Sequence, residues 1–197
     1  MAGTPKAMKT PREAFSRILE VLDQMEIPYL VGGSIASAVH GIARPTMDTD
    51  LVVDLPVAKT DEFAELLRPD FYVDAQAIKD AFAARRPFNA IHFDSTYKFD
   101  FFPLADDEYS RTEFGRRRFV ETRSFGDEPL ECAMATAEDT ILRKLLWYRA
   151  GGEASERQWN DIRGVLQVSR AVLDFDYLRK WADHLAVSDL LARLMTP

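Results

Sequence analysis

Asp48 and Asp50 stand one residue apart within YLVGGSIASAVHGIARPTMDTDLVV, residues 29–53. The apolar LVV behind them reads as a strand, where side chains at i and i+2 leave the same face. Two carboxylates so close repel each other unless a cation is shared between them. Magnesium suits the task, because it takes hard oxygen ligands and shares them with a substrate's phosphates. Ahead of the pair lie Gly32, Gly33 and Ser34, between a short apolar run and a helix-like segment. Such a turn offers free amides at a helix N-terminus and a hydroxyl donor, with no side chain to obstruct an anion. A phosphate cradle beside metal-binding carboxylates points to phosphoryl or nucleotidyl transfer. Asp100, inside FDFF, is a candidate third carboxylate. In a two-metal site it would hold one ion and help deprotonate an attacking hydroxyl, provided its segment pairs beside the Asp48–Asp50 strand.

The elements that must position these residues follow from periodicity and punctuation. A helix is expected from Pro11, with Phe15, Ile18, Leu22 and Met25 on its apolar face and an end before Pro28. A short strand, Tyr29 to Val31, leads into the glycine turn. Ser34 is expected to cap a brief helix from Ile35 to His40, closed by Gly41. The aspartate strand should run from Thr49 to Asp54. A helix from Asp61 to Leu67, a strand from Phe71 to Val73 and a helix from Ala77 to Arg85 follow. NAIHFD and YKFDFFPL read as a hairpin joined at Ser95–Thr96, and RRFVETRSF and LEC as marginal strands. From Thr136 the texture becomes helical. Thr136 with Asp139, and Ser155 with Gln158, resemble capping boxes for two helices, and Asp174 and Ser188 are expected to cap two more. The expected class is α/β of the α+β kind, a small mixed sheet followed by a C-terminal helical region. The chain divides into a core, 11–135, and a helical part, 136–197, packed together. The first ten residues read as a loose arm.

Composition narrows the function classes. A formal net charge of −7 argues against indiscriminate coating of nucleic acid, although Arg85–Arg86, Arg116 to Arg118 and Arg143–Lys144 could form local basic sites. The single cysteine, Cys132, excludes an intramolecular disulfide. The N-terminal stretch has no apolar core of signal-peptide length and no run suits a membrane span, so a cytoplasmic protein without membrane contact is expected. His40, His92 and His184 lack metal-ligand spacing, which argues against zinc. VGGSIAS has neither the Rossmann glycine spacing nor a Walker loop. No repeat or low-complexity segment is present.

VGGSIASAVHGIARPTMDTDLVV together with KFDFF resembles the DNA polymerase β-like nucleotidyltransferase superfamily. The second half is similar to that superfamily's AbiEii-type branch, known from toxin–antitoxin systems, with ILRKLLWYR and ERQWNDIRGVL in the places of its lysine and aspartate motifs. The resemblance implies a polymerase-β-like core that uses a nucleoside triphosphate with Mg2+, or Mn2+ in its place. It implies that Gly32, Gly33 and Ser34 bind nucleotide phosphates and that Asp48, Asp50 and Asp100 bind metal. Lys144 would contact phosphate, and Asp161 would orient or activate a substrate group. An RNA 3′ end or a protein hydroxyl is the implied acceptor, with an antitoxin-type partner in the toxin version.

Plainer alternatives stand beside these. Lys144 could belong to the polar stripe of an amphipathic helix, and Asp161 could pair with Arg157 or Arg163 at the surface. The whole could be a non-catalytic nucleotide- or partner-binding module, or a transferase acting on a small molecule.

Overall fold

The computed structural model of the chain describes residues 10–196. The loose arm expected for the first ten residues therefore lies, apart from Thr10, outside the described residues. Thr10 is the N-cap of α1 (Pro11–Gln24) and forms a reciprocal capping box with Glu13. The helix buries Phe15, Ile18 and Leu22 along one face.

A seven-stranded mixed sheet follows the order β3-β4-β5-β2-β1-β7-β6. Its strands are β1 (Tyr29–Val31), β2 (Asp48–Val53), β3 (Phe71–Tyr72), β4 (Phe88–His92), β5 (Lys98–Pro103), β6 (Arg118–Thr122) and β7 (Leu130–Met134). At the centre, β2 runs antiparallel to β1 and parallel to β5. The period of two separates the faces of β2 and β5: Thr49, Leu51, Val53, Phe99 and Phe101 are buried, and Asp48, Asp50, Lys98 and Asp100 are half-buried. The buried face packs on α1 and on α3 (Thr60–Leu67). Phe15 stacks on Phe99 with centroids 5.9 Å apart, and Phe63 meets Phe101 edge-on at 5.6 Å.

The remaining helices are α2 (Gly33–His40), α4 (Ala75–Ala83), α5 (Glu108–Arg116), α6 (Ala137–Ala150), α7 (Glu156–Ser169), α8 (Phe175–His184) and α9 (Ser188–Met195). Two clusters of buried side chains result. One joins α1, α3 and the sheet; the other joins the last four helices around Ile141, Leu145, Ile162, Val165, Leu178 and Trp181. Tyr109 of α5 belongs to the second cluster, which therefore recruits a residue from well before Thr136.

Several expectations are corrected. Gly32, not Ser34, is the N-cap of α2, and Val187 precedes α9 where Ser188 was expected to cap. Asp74 starts α4 two residues earlier than periodicity suggested, by accepting from the Ala77 amide. Helix α5 is absent from the sequence reading because its face carries only Tyr109 and Phe114 as large apolar residues. Its usable signal was Asp107, which caps it through the Ser110 amide. Among the described residues no helix is long and apolar enough to cross a membrane.

The helical part docks where the loop after α2 meets α7. A methyl group on Gly41 would lie 2.6 Å from the Val165 nitrogen and 2.8 Å from the Gly164 carbonyl carbon, both backbone. Beside this approach, Ser169 Oγ donates to the His40 carbonyl at 2.7 Å, and His40 Nε2 bonds with the Ala135 carbonyl at 2.7 Å. His40 is thus a packing histidine. Gly41→Ala should push α7 off this loop and lower stability by about 1–3 kcal/mol, the usual cost of overpacking, as measured by urea denaturation.

Candidate active site

Strand β5 pairs with β2 in a register that sets Asp50 directly across from Asp100 and Asp48 across from Lys98. The pairing that Asp100 needed is therefore present, and the three carboxylates share the half-buried face of the sheet. Asp48 Oδ1 accepts from Thr46 Oγ1 at 2.7 Å, and the Asp48 carbonyl accepts from the Tyr97 hydroxyl at 2.8 Å. These bonds fix the start of β2.

The glycine turn lies against Asp50. The Gly32 amide donates to the Asp50 carbonyl at 3.0 Å, extending the β1–β2 ladder by one bond. Gly33 has φ +56°, and a methyl group there would fall 1.7 Å from Asp50 Oδ2. Only glycine meets both demands, a left-handed backbone and an adjoining carboxylate. The N-terminus of α2 has no side-chain cap, and its first helical bond runs from the Ala36 amide to the Gly32 carbonyl. The amides of the first turn are thus oriented for an anion.

A buried charge cluster closes the other side. Arg44 grips Asp161 through two bonds of 2.8 Å, from Nε to Oδ1 and from Nη2 to Oδ2. The same Nη2 donates to Ser34 Oγ at 2.8 Å, which satisfies the hydroxyl as acceptor and leaves its proton to donate. Lys144 Nζ lies 2.9 Å from Asp161 Oδ2. Lys144 and Asp161 are each 8% exposed, so neither is the surface residue that helix periodicity allowed, and the partners of Asp161 are not Arg157 and Arg163.

Burial drives the Asp50 carboxyl up to about 6, with further upward pushes from Asp48 and Asp100 and partial relief from Lys144 and Lys98. Asp161 goes the other way. Burial alone would raise it, but the hydrogen bonds and charges of Arg44 and Lys144 outweigh that and hold it below the ordinary carboxylate range. Asp161 is therefore a fixed anion that locates two cations. Asp48 and Asp50, the latter raised by burial and by its neighbouring carboxylates, form a hard-oxygen donor pair suited to a divalent cation. Asp100 differs, since Lys98 Nζ stands 2.6 Å from its Oδ2.

Gly33, Ser34, Arg44, Asp48, Asp50 and Lys144 line a cleft of about 430 Å³ that continues past Val52 to Phe102, Leu104, Phe114 and Trp147. The Trp147 ring is half exposed and meets Phe102 at 6.2 Å. Most of the candidate basic sites are committed elsewhere. Arg116 bonds Asp139 at 3.1 Å and Glu138 at 3.3 Å, Arg117 lies over the Phe114 ring, and Arg143 pairs with buried Glu113. Arg85 and Arg86 are exposed. Sequence reasoning passed over Arg44 and Lys98. Arg44 sits in an irregular loop with no motif, and the proximity of Lys98 to Asp48 depends on strand register.

The sheet order, the uncapped glycine turn and the carboxylates on adjacent strands describe a nucleotidyltransferase fold. The chain is similar to the crystal structure of ANT(2″)-Ia in complex with adenylyl-2″-tobramycin, with TM-score 0.50 and 15% identity over 88% of this chain and 95% of that one. The solution structure of the same antibiotic-resistance factor gives TM-score 0.48 at 16% identity, covering 92% and 91%. Lincomycin-bound LnuA, a lincosamide antibiotic adenylyltransferase, gives 0.46 at 13% over 82% and 99%. At such identities the likeness is one of fold. No family model matches the chain, and no curated protein matches it.

Two outcomes follow. In divalent-free buffer the raised Asp50 carboxyl keeps, in the folded state, a proton that the unfolded chain has already released. Its contribution is thus present at pH 4 and lost as pH rises through about 6. Asp50→Asn should therefore stabilise the protein by roughly 1–2 kcal/mol at pH 8 and change little at pH 4, as read by denaturant midpoints. Asp161→Ala strands Arg44 and Lys144 without their anion and should cost about 3 kcal/mol, measured the same way at pH 7.

Proposed function

We propose that the protein is a nucleotidyltransferase that moves a nucleoside monophosphate from a nucleoside triphosphate to an acceptor hydroxyl. One observation carries the reading: the uncapped turn at Gly32–Ser34 touches Asp50, so a phosphate seated on the turn lies beside the Asp48–Asp50 pair. Mg2+, with Mn2+ as its substitute, would be held by Asp48 and Asp50, where it would neutralise and polarise the reacting phosphate.

The chain's own groups then have distinct tasks. The α2 amides and the Ser34 hydroxyl bind phosphate oxygens. Lys144 uses one of its three donors on Asp161 and keeps the others for the triphosphate. Arg44, fixed by the same carboxylate, orients Ser34. The acceptor oxygen forms a bond to the α-phosphorus while the bond from that phosphorus to the bridging oxygen breaks. Pyrophosphate leaves with the electron pair, its charge met by Lys144, and the acceptor's proton passes to Asp100 and on to solvent. Asp161 keeps its negative charge throughout and is a positioning residue. The aromatic wall of Phe102 and Trp147 offers a stacking surface for the base.

The acceptor we favour is a hydroxyl of a small molecule. Arg116, Arg117 and Arg143, which could have gripped an RNA backbone, are engaged inside the protein, and the net charge is −7. The structurally similar ANT(2″)-Ia has been captured with an adenylylated small molecule, adenylyl-2″-tobramycin. RNA 3′ ends, protein hydroxyls and a toxin role with an antitoxin-type partner are competing readings in the same assay. Incubation with each α-labelled nucleoside triphosphate, Mg2+ and separate pools of small metabolites, RNA and protein decides among them. Label should enter the small-molecule pool and fall by on the order of 10³-fold in Asp48→Asn. Label in RNA or protein would replace the acceptor, and nucleotide binding without label in any pool would leave a binding module.

A further inference from the structure

Lys98 belongs neither to the phosphate cradle nor to the Arg44–Asp161–Lys144 cluster, yet it shares a face of the sheet with all three carboxylates. The parallel register makes two adjacent cross-strand pairs, Asp48 with Lys98 and Asp50 with Asp100. Strands in a ladder lie about 4.8 Å apart and alternate residues on one strand about 6.6 Å apart, so the four charged side chains form one compact array on this face. Within it the Lys98 ammonium stands 2.6 Å from Asp100 Oδ2, a short charge-assisted bond.

This array has a definite charge. Three carboxylates and one ammonium leave two negative charges, which one divalent cation balances and two would exceed. The grouping of ligands agrees. Among the described residues no three His, Cys, Asp or Glu side chains are placed to hold a metal ion together, and one Asp100 oxygen faces Lys98. Lysine suits the position, being a compact point charge with three donors. After bonding Asp100, two donors are left for an acceptor oxygen or an α-phosphate oxygen.

We propose that Lys98 takes the place of one of the two divalent cations that such a carboxylate cluster would otherwise employ. One cation is bound by Asp48 and Asp50, and the Lys98 ammonium is the built-in cation at Asp100. The inference rests on the nucleotidyl-transfer reading and changes its metal requirement from two ions to one. It also removes Asp100 from the metal ligands expected from sequence and leaves it as the anchor of Lys98 and the relay for the acceptor's proton.

The test counts bound Mn2+ on the full chain by electron paramagnetic resonance and titration calorimetry, with saturating α,β-methylene nucleoside triphosphate as a non-reacting analogue. The wild type should bind one Mn2+ per chain, Lys98→Met should bind two as Asp100 is released, and Lys98→Arg should return to one. Two Mn2+ in the wild type would overturn the inference and leave nucleotidyl transfer standing. One Mn2+ in both wild type and Lys98→Met would overturn it as well. Binding of neither Mn2+ nor analogue to the wild type would remove the nucleotidyl-transfer reading and this inference with it.

Discussion

The contact between Gly33 and Asp50 is the constraint around which the site is organised. A backbone with φ +56° brings the start of α2 so close to β2 that the carboxylate occupies the space where any other residue would carry its Cβ. The approach couples two sources of opposite preference, amides that attract an anion and carboxylates that attract a cation. A phosphate on the turn and a divalent cation on the carboxylates would satisfy both at once. In the protein by itself, burial and then the charges of Asp48 and Asp100 raise the Asp50 carboxyl to about 6.

Around that contact, charge is distributed in an order that the fold enforces. The sheet contributes Asp48, Asp50 and Asp100 on one face, with Lys98 among them. The helical part contributes Lys144 and Asp161, and the loop after α2 contributes Arg44. Asp161 ties the two halves by holding a cation from each, so docking of the last helices and assembly of the cleft are one event. The close approach at Gly41 serves the same purpose through shape. A site of this kind keeps unbalanced charge for its ligands at a cost in stability, the common trade between activity and stability.

Much of this was readable from residue order because it depends on local chemistry. The alternation in DTDLVV and KFDFFP places aspartates on one face and large apolar residues on the other whatever the strands pair with. The capping residues Thr136, Ser155 and Asp174 start their helices because their side chains bond amides within the next three residues. Local chemistry misled at Ser34, whose hydroxyl suggested a cap. The helix begins at Gly33 instead of Ile35, which puts Ser34 inside it, and the Ser34 oxygen accepts from Arg44. Helix α5 escaped notice because its burial comes from Tyr109 joining a cluster built some thirty residues later.

The sequence by itself determined the chemical inventory: a glycine turn that presents amides, a pair of aspartates on one strand face, and a change from mixed to helical texture near residue 135. These follow from φ preferences, strand period and capping, which act over a few residues. Only the tertiary structure decided that Asp100 stands across from Asp50, that Lys98 joins the carboxylates, and that Lys144 and Arg44 converge on Asp161. Apart from Lys98 and Asp100, which are neighbours on one face of β5, the partners in those contacts are separated by 17 to 117 residues. Strand register and helix docking are set by burial summed over the whole core, and that sum cannot be read from any one segment.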